Sequence, residues 1–294
     1  MELRLATDGE KRARDRLTHE AWGQRLSVDD FVAREERLRA HRWARDNMRS
    51  WLLVEGAQIL ASCESFEMLS FLDGKPGRTF GVASVYTEPA LRGRGHAARM
   101  MELLVGAVGE HQAGLLFSDI GDYYARVGWR ALPAFERSLP AERSSPNVEW
   151  LSAPAADELW PRVDVPRARF IVWPTAAQLD WHRERERVYA ELFGRAPLAH
   201  AGARTGDGVI LWAADFKNDK LVVLHVSGRS AALAAAAQQQ AAVAGLSQVI
   251  TWDSLAVGPD ALGEQNPRND SLPMVLPLQP GTETLSYVPR ALWI

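Results

Sequence analysis

The sequence predicts an α/β (α+β) protein of two domains, the first built on a mixed, mostly antiparallel sheet flanked by helices and the second a C-terminal α+β domain. Three observations lead there. The chain has 294 residues, above the about 100 to 200 residues usual for one domain. From Trp51 the pattern turns to strands over residues 51–54, 59–72 and 79–87, with Asp73-Gly74-Lys75-Pro76-Gly77 as a turn, the outline of an antiparallel meander. The order strand, helix, strand over residues 79–118 then returns over residues 221–252, which makes the second domain a degenerate copy of the first in pattern though not in motif.

Each element has its own signal. The first fifty residues are helix-like, with Ser27 or Asp29 as candidate N-caps before Val28, Phe31, Val32 and Leu38 at approximate helical spacing. Residues 96–108 place Met100, Leu104 and Val108 on one helical face, residues 115–118 read as a short buried strand, and a short helix carries residues 123–127. Proline and serine punctuate residues 133–166 as in a connection, so the division is set near residue 145, giving domains 1–145 and 146–294. Beyond it come a helix over 176–193, a hairpin of 209–216 with 221–226 across Asn218-Asp219, an alanine-rich helix and a strand near Val249. The proline-rich tail from Asn266 reads as mostly irregular.

Composition bounds the function classes. At 47% hydrophobic and 24% charged residues the chain is neither disordered, collagen-like nor a disulfide scaffold. With 34 basic and 37 acidic residues the net charge is −3, so no general attraction to nucleic acid or a membrane surface is expected, and any phosphate binding must be local. The one cysteine, Cys63, cannot form an intramolecular disulfide and reads as a small buried hydrophobe. A charged stretch over residues 10–16 stands where an apolar signal segment would, and the alanine-rich stretch is broken by Gln238, Gln239 and Gln240, so a cytoplasmic chain with no membrane anchor is expected. His182 and His225 have no partners at metal-ligand spacing: His225 reads as packing, His182 and the run 182–187 as a solvated helix face, and no metal is expected.

The chemistry concentrates in Val85-Tyr86-Thr87-Glu88-Pro89-Ala90-Leu91-Arg92-Gly93-Arg94-Gly95-His96-Ala97, between a strand and a helix. Gly93, Gly95 and the small Ala97 let backbone curl closely around a ligand, and the N–H groups of the loop and first helical turn converge with the positive end of the helix dipole. Arg92 and Arg94 add charge, which makes a diphosphate the natural guest. Neither common nucleotide motif fits: no Gly-Lys-Ser or Gly-Lys-Thr ends the loop, and a meander precedes it where a dinucleotide fold needs βαβ units.

Arg92-x-x-Gly95-x-Ala97 resembles the acetyl-CoA pyrophosphate loop of the Gcn5-related N-acetyltransferase (GNAT) superfamily, and Tyr123-Tyr124-Ala125-Arg126-Val127-Gly128-Trp129 resembles its Tyr-x-x-x-Gly-aromatic signature at the expected distance. Within it, Leu116-Phe117-Ser118-Asp119-Ile120-Gly121, Ile171-Val172-Trp173-Pro174-Thr175, Leu211-Trp212-Ala213-Ala214-Asp215-Phe216 and Asp270-Ser271-Leu272-Pro273-Met274 are similar to the fungal lysine N-acetyltransferase branch.

The resemblance implies a GNAT fold and acetyl-CoA as acyl donor, with its diphosphate on the backbone of Arg92, Gly93, Arg94, Gly95, His96 and Ala97 and its pantetheine arm along Tyr86 and Thr87, one of whose amides would polarise the thioester carbonyl. Tyr124 matches the family tyrosine near the thioester sulfur, in the role of general acid. The acceptor it favours is a small amine, the ε-amino group of free lysine, with a polyamine, an aminoglycoside, a protein lysine, or a non-catalytic acyl-CoA sensor as alternatives. An ammonium of reference pKa about 10.4 must shed a proton before it attacks. The candidates for the base are Glu88, at the strand end where some relatives place a catalytic glutamate, Glu64, with Glu67 on the opposite face of a regular strand, and the terminal carboxylate of Ile294, which some tandem relatives use. The turn Ser227-Gly228-Arg229-Ser230 stands in the second domain where the first has its glycine loop, so that domain is expected to bind no cofactor and to close the acceptor site.

Overall fold

A computed structural model describes residues 1–228, 230–253, 263–285 and 287–294. The chain forms two compact units, Met1–Leu132 with Ser271–Leu285 and Pro133–Asp270 with Ser286–Ile294.

The first unit begins with strand β1 (Glu2–Leu5) and three helices, α1 (Asp8–Trp22), α2 (Val28–Ala40) and α3 (Arg42–Asn47). α1 starts on a reciprocal cap: Thr7 accepts from the Glu10 amide while the Glu10 carboxylate accepts from the Thr7 amide at 2.8 Å. Ser27, the better of the two expected caps, opens α2 by accepting from Asp30 N at 3.1 Å. The meander follows as β2 (Met48–Glu55), β3 (Gln58–Leu72) and β4 (Lys75–Tyr86). Its second turn is just Asp73 and Gly74, left-handed at φ 50° and 75°, the conformation a two-residue hairpin needs, so pairing resumes at once with Leu72 opposite Lys75.

Helix α4 (His96–Val108) then crosses to β5 (Ala113–Ser118), which lies parallel to β4, and α5 (Gly121–Ala125) leads to the short β6 (Arg130–Ala131). Met100, Met101 and Leu104 of α4 bury against Leu53, Ala61, Cys63, Phe80 and Val82 of the sheet. The last strand, β15 (Leu272–Pro277), comes from the far end of the sequence and lies antiparallel between β5 and β6. The order is β1-β2-β3-β4-β5-β15-β6.

In the second unit β7 (Phe135–Pro140), β8 (Glu149–Leu151), β10 (Gly202–Arg204), β11 (Val209–Asp215), β12 (Lys220–Ser227), β13 (Gln248–Asp253) and β14 (Gln265–Pro267) form a sheet ordered β14-β7-β13-β12-β11-β10-β8. Helices α6 (Ala153–Leu159), α7 (Ala176–Leu192) and α8 (Ala231–Val243) and strand β9 (Phe170–Trp173) complete it. The crossover β12-α8-β13 joins two parallel strands, as β4-α4-β5 does in the first unit, so the recurrence read in the sequence is a recurrence of architecture.

Four expectations are corrected. The division falls at Leu132 and Pro133 rather than near residue 145, because β7 pairs with β13 and β14 and belongs to the second sheet. The stretch read as a connection holds β7, β8 and α6, with Pro154 in the first turn of α6 where no N–H is needed. The tail is not mostly irregular: β14 and β15 form there, and Pro273 and Pro277 fall outside Met274 and Val275, the positions of β15 flanked by strands on both sides. Finally, the run 182–187 is not a solvated face. His182, Arg183 and Glu186 are buried, and Glu186 accepts from the amides of Leu198 and Ala214, both at 2.8 Å.

His182 lies 2.8 Å from the Ala291 carbonyl, and burial, with Arg290 nearby, pushes its pKa down to about 3. His225, 3.0 Å from the Tyr287 hydroxyl, is pushed down to about 4 by burial. Unfolded imidazoles titrate at about 6.5, so between that pH and about 4 the unfolded chain holds more protons than the folded one and stability falls as the solution is acidified. Urea unfolding followed by tryptophan fluorescence should therefore show a lower midpoint at pH 5 than at pH 7; equal midpoints would contradict the assignment of neutral buried rings.

Candidate active site

β4 and β5 are parallel partners only from Thr79 opposite Ala113 to Val82 opposite Leu116. Beyond that the strands part. β4 runs on to Tyr86 with β3 on one side, while Phe117 and Ser118 of β5 pair with Pro273 and Leu272 of β15. Among the described residues, 83–86 thus have no ladder on the β5 side, an opening in the middle of a sheet where backbone groups demand a partner.

At the mouth of this opening the chain turns through a 3-10 helix, Pro89–Leu91, anchored by the buried Leu91. Gly93 and Gly95 are left-handed at φ 76° and 80°, and a Cβ on either would meet nothing within 4 Å; backbone conformation, not crowding, requires glycine there. Gly95 is the N-cap of α4, and having no side chain it leaves the helix terminus without a side-chain cap. Arg92 Nε donates to Thr87 O at 3.0 Å and Arg94 to Ala90 O at 3.4 Å, which hold the loop in its curl. The amide of Ala98 donates to the Tyr123 hydroxyl, so Tyr123 closes one first-turn position of α4 as well as packing. The glycine conformations, the uncapped terminus and the basic loop fit a diphosphate.

Tyr124 projects from α5 into the core cluster that contains Cys63, with its ring edge-on to Tyr123 at 5.1 Å. Burial, then Tyr123 and Cys63, raise its pKa well above that of a free phenol, so its proton is in place at neutral pH. Burial pushes the Cys63 thiol up to about 12, which leaves it inert.

Glu64 lies in a buried ionic cluster. Its Oε1 is 3.2 Å from Arg14 Nη1, 3.5 Å from Ser50 Oγ and 3.8 Å from Arg39 Nη1, and the Ser84 hydroxyl also donates to the carboxylate. Asp15 lies 3.7 Å from Arg14 and pairs closely with Arg39. Burial alone would raise the pKa of Glu64, but Arg14 and Arg39 outweigh it and hold the carboxyl below its usual value. Glu67, half exposed, pairs instead with Arg78 at 3.3 Å. Glu88 is exposed, and among the described residues its carboxylate has no hydrogen-bond or ion-pair partner. Ile294 belongs to the second unit, beyond a 3-10 turn at Arg290–Leu292.

Three residues of the site carry no sequence signal. Arg14 sits in a charged stretch like many surface helices, Ser84 is left-handed at φ 52° without being glycine, and Trp22 packs edge-on against Tyr86 at 6.1 Å. Among the described residues no group of three His, Cys, Asp or Glu is placed to hold a metal, and no helix is long and apolar enough to cross a membrane. In the second unit the turn after β12 includes Arg229, which lies outside the described residues.

Two family descriptions match the chain: "Acetyltransferase (GNAT) domain" over residues 2–132 and "LYC1 GNAT-like C-terminal domain" over residues 134–263. The chain belongs to the GNAT superfamily and is a GNAT-type N-acetyltransferase. It is similar to a lysine acetyltransferase of Yarrowia lipolytica, 23% identical with 71% of each chain covered. In fold it is similar to a probable N-acyltransferase of Enterococcus faecalis V583 (TM-score 0.62, 13% identity, covering 93% of this chain and 72% of that one). A GCN5-related N-acetyltransferase of Kribbella flavida is likewise similar (TM-score 0.57, 17% identity, 93% and 71% covered).

Because Glu64 is buried against two arginines, replacing it strands their charge. Glu64→Ala should lower unfolding stability by about 3–5 kcal/mol, read from urea denaturation. A loss near zero would mean that the cluster is solvated.

Proposed function

We propose that the protein transfers the acetyl group of acetyl-CoA to the ε-amino group of free lysine. The observation that carries the donor half is the parting of β4 from β5 beside an uncapped, glycine-lined helix terminus. The name of the Yarrowia relative and the fungal-branch motifs support lysine as acceptor. Acetyl-CoA supplies the acyl group as a thioester; everything else falls to this chain's residues.

The main chain of Arg92, Gly93, Arg94, Gly95, His96 and Ala97 binds the diphosphate. The free side of residues 83–86 pairs with the pantetheine amides, as an added strand would. An amide at Tyr86 or Thr87 donates to the thioester oxygen as negative charge gathers there. The amine nitrogen forms its bond to the acyl carbon, the carbon–sulfur bond breaks, and Tyr124 gives its proton to the departing sulfur. The amine's own proton passes to a base. Glu64 is a poor one, since its carboxylate is already occupied by Arg14, Ser50 and Ser84 and stays ionised through those contacts. Glu88, exposed at the end of β4 and unpaired among the described residues, suits the task directly or through water.

The second unit takes no cofactor in this reading. What supports this is that the N-terminus of α8 is capped by the Ser230 side chain, where α4 has Gly95 as its N-cap. His225, beyond the last parallel pair of β12, is packed in by Trp160, Trp173 and Tyr287.

Thiol release from acetyl-CoA, measured with free lysine, a polyamine, an aminoglycoside and a lysine-containing peptide, should be stimulated most by free lysine. Tyr124→Phe should lower kcat by about a hundredfold while leaving acetyl-CoA binding intact. Stimulation by another amine alone would move the acceptor, and no stimulation by any would favour an acyl-CoA sensor.

A further inference from the structure

β4 does not run regularly to its end. Ser62 pairs with Tyr86 but Glu64 pairs with Ala83, so Ser84 and Val85 together stand opposite Cys63. This is a bulge with one extra residue in β4, and its first residue, Ser84, is left-handed at φ 52°, a place usually given to glycine. A serine there is strained, and a bulged carbonyl is released from the ladder. Something must hold both.

The holder is visible. Arg14, 6% exposed and reaching in from α1, donates from Nη2 to Ser84 O at 2.9 Å, from Nε to Ser62 Oγ at 3.1 Å and from Nη1 to Glu64 Oε1 at 3.2 Å. One planar guanidinium therefore grips both strands on either side of the bulge. The Ser84 side chain is tied into the same cluster through its bond to Glu64. After the bulge come Tyr86, the last residue of β4, and Thr87, one of whose amides donates to the thioester oxygen in the reaction proposed above.

We infer that Arg14 is a positioning residue for acyl transfer: by holding the Ser84 carbonyl it fixes the bulge that aims the amides of Tyr86 and Thr87 at the thioester. This rests on the acetyltransferase reading for its chemistry but on β4 alone for its geometry. Arg14 touches neither substrate and acts through the strand. A bulge re-aims the backbone beyond it, and small errors in the placing of catalytic donors lower the rate of the bond-making step more than they weaken binding.

Arg14→Lys is the informative variant, since lysine keeps a positive charge beside Glu64 and Asp15 but cannot span three acceptors with a rigid fork. We expect kcat for acetyl transfer to fall about tenfold or more, with KM for acetyl-CoA changed by less than about threefold. Ser62→Ala, which removes only the Nε contact, should keep kcat within about threefold of the parent. If Arg14→Lys does not fold, Ser84→Val tests the other end of the contact: a β-branched residue disfavours the left-handed conformation, and the same fall in kcat at constant KM is expected.

Hydrogen exchange on the unliganded protein needs no turnover. In Arg14→Lys the amides of residues 85–87 should exchange about tenfold faster or more, while those of Leu115 and Leu116 in β5 keep their rates. A parent protein that turns over no amine would sink the functional reading and leave the exchange result to decide the geometry. Unchanged kcat together with unchanged exchange at residues 85–87 would overturn the inference, as would a fall in activity that merely tracks the folded fraction.

Discussion

The architecture of the first unit turns on how briefly β4 and β5 are partners. Their parallel ladder runs from Thr79 opposite Ala113 to Val82 opposite Leu116, and past it each strand is claimed from another side, β4 by β3 and β5 by β15. A sheet that opens in its middle leaves amides and carbonyls facing a gap, and in a folded protein such groups are met by water or by a ligand with matching polarity. The pantetheine arm of acetyl-CoA, itself built on amide units, has that polarity. The opening also leads to the N-terminus of α4, where Gly95 supplies no side-chain cap. In the proposed reaction, cofactor affinity and acyl-group placement thus share one structural cause.

The two units make an instructive contrast because they build the same crossover and finish it differently. In both, a strand passes through a helix into a parallel neighbour over four register pairs. In the first, glycines in left-handed conformation precede the helix, its N-cap Gly95 offers no side chain, and Tyr123 takes only the Ala98 amide; in the second, the N-cap Ser230 accepts from Ala232. Beyond the parallel pairs β4 runs into a bulge held by Arg14, whereas β12 carries His225 into a cluster of two tryptophans and a tyrosine. An internally satisfied terminus and a filled strand end support the proposal that the second unit takes no cofactor.

The readable parts of this chain are those governed by neighbours in sequence. Asp73-Gly74 fixes a hairpin through its own two residues, the spacing of Met100 and Leu104 fixes a helix face, and the glycines at 93 and 95 announce a loop that must curl. What stayed hidden depends on contacts across long separations. β15 reads as a proline-broken tail because its partners, β5 and β6, lie more than a hundred residues earlier, and β13, the partner that decides which unit β7 joins, lies more than a hundred residues after it. Arg14 is separated from Ser84 by seventy residues and looks in sequence like one more surface cation. His182 and Glu186 read as solvated because the backbone groups that receive them belong to other segments.

In the proposed reaction the gap beside residues 83–86 and the terminus of α4 form one acetyl-CoA site. The most direct measurement is a crystal structure of the protein grown with acetyl-CoA. That crystal is expected to show the pantetheine arm bonded to the main chain of β4, the diphosphate on the amides of residues 92–97, and the sulfur within hydrogen-bonding reach of the Tyr124 hydroxyl. A cofactor seated elsewhere, or a β4 that closes onto β5 with those amides engaged by protein, would contradict the proposed site.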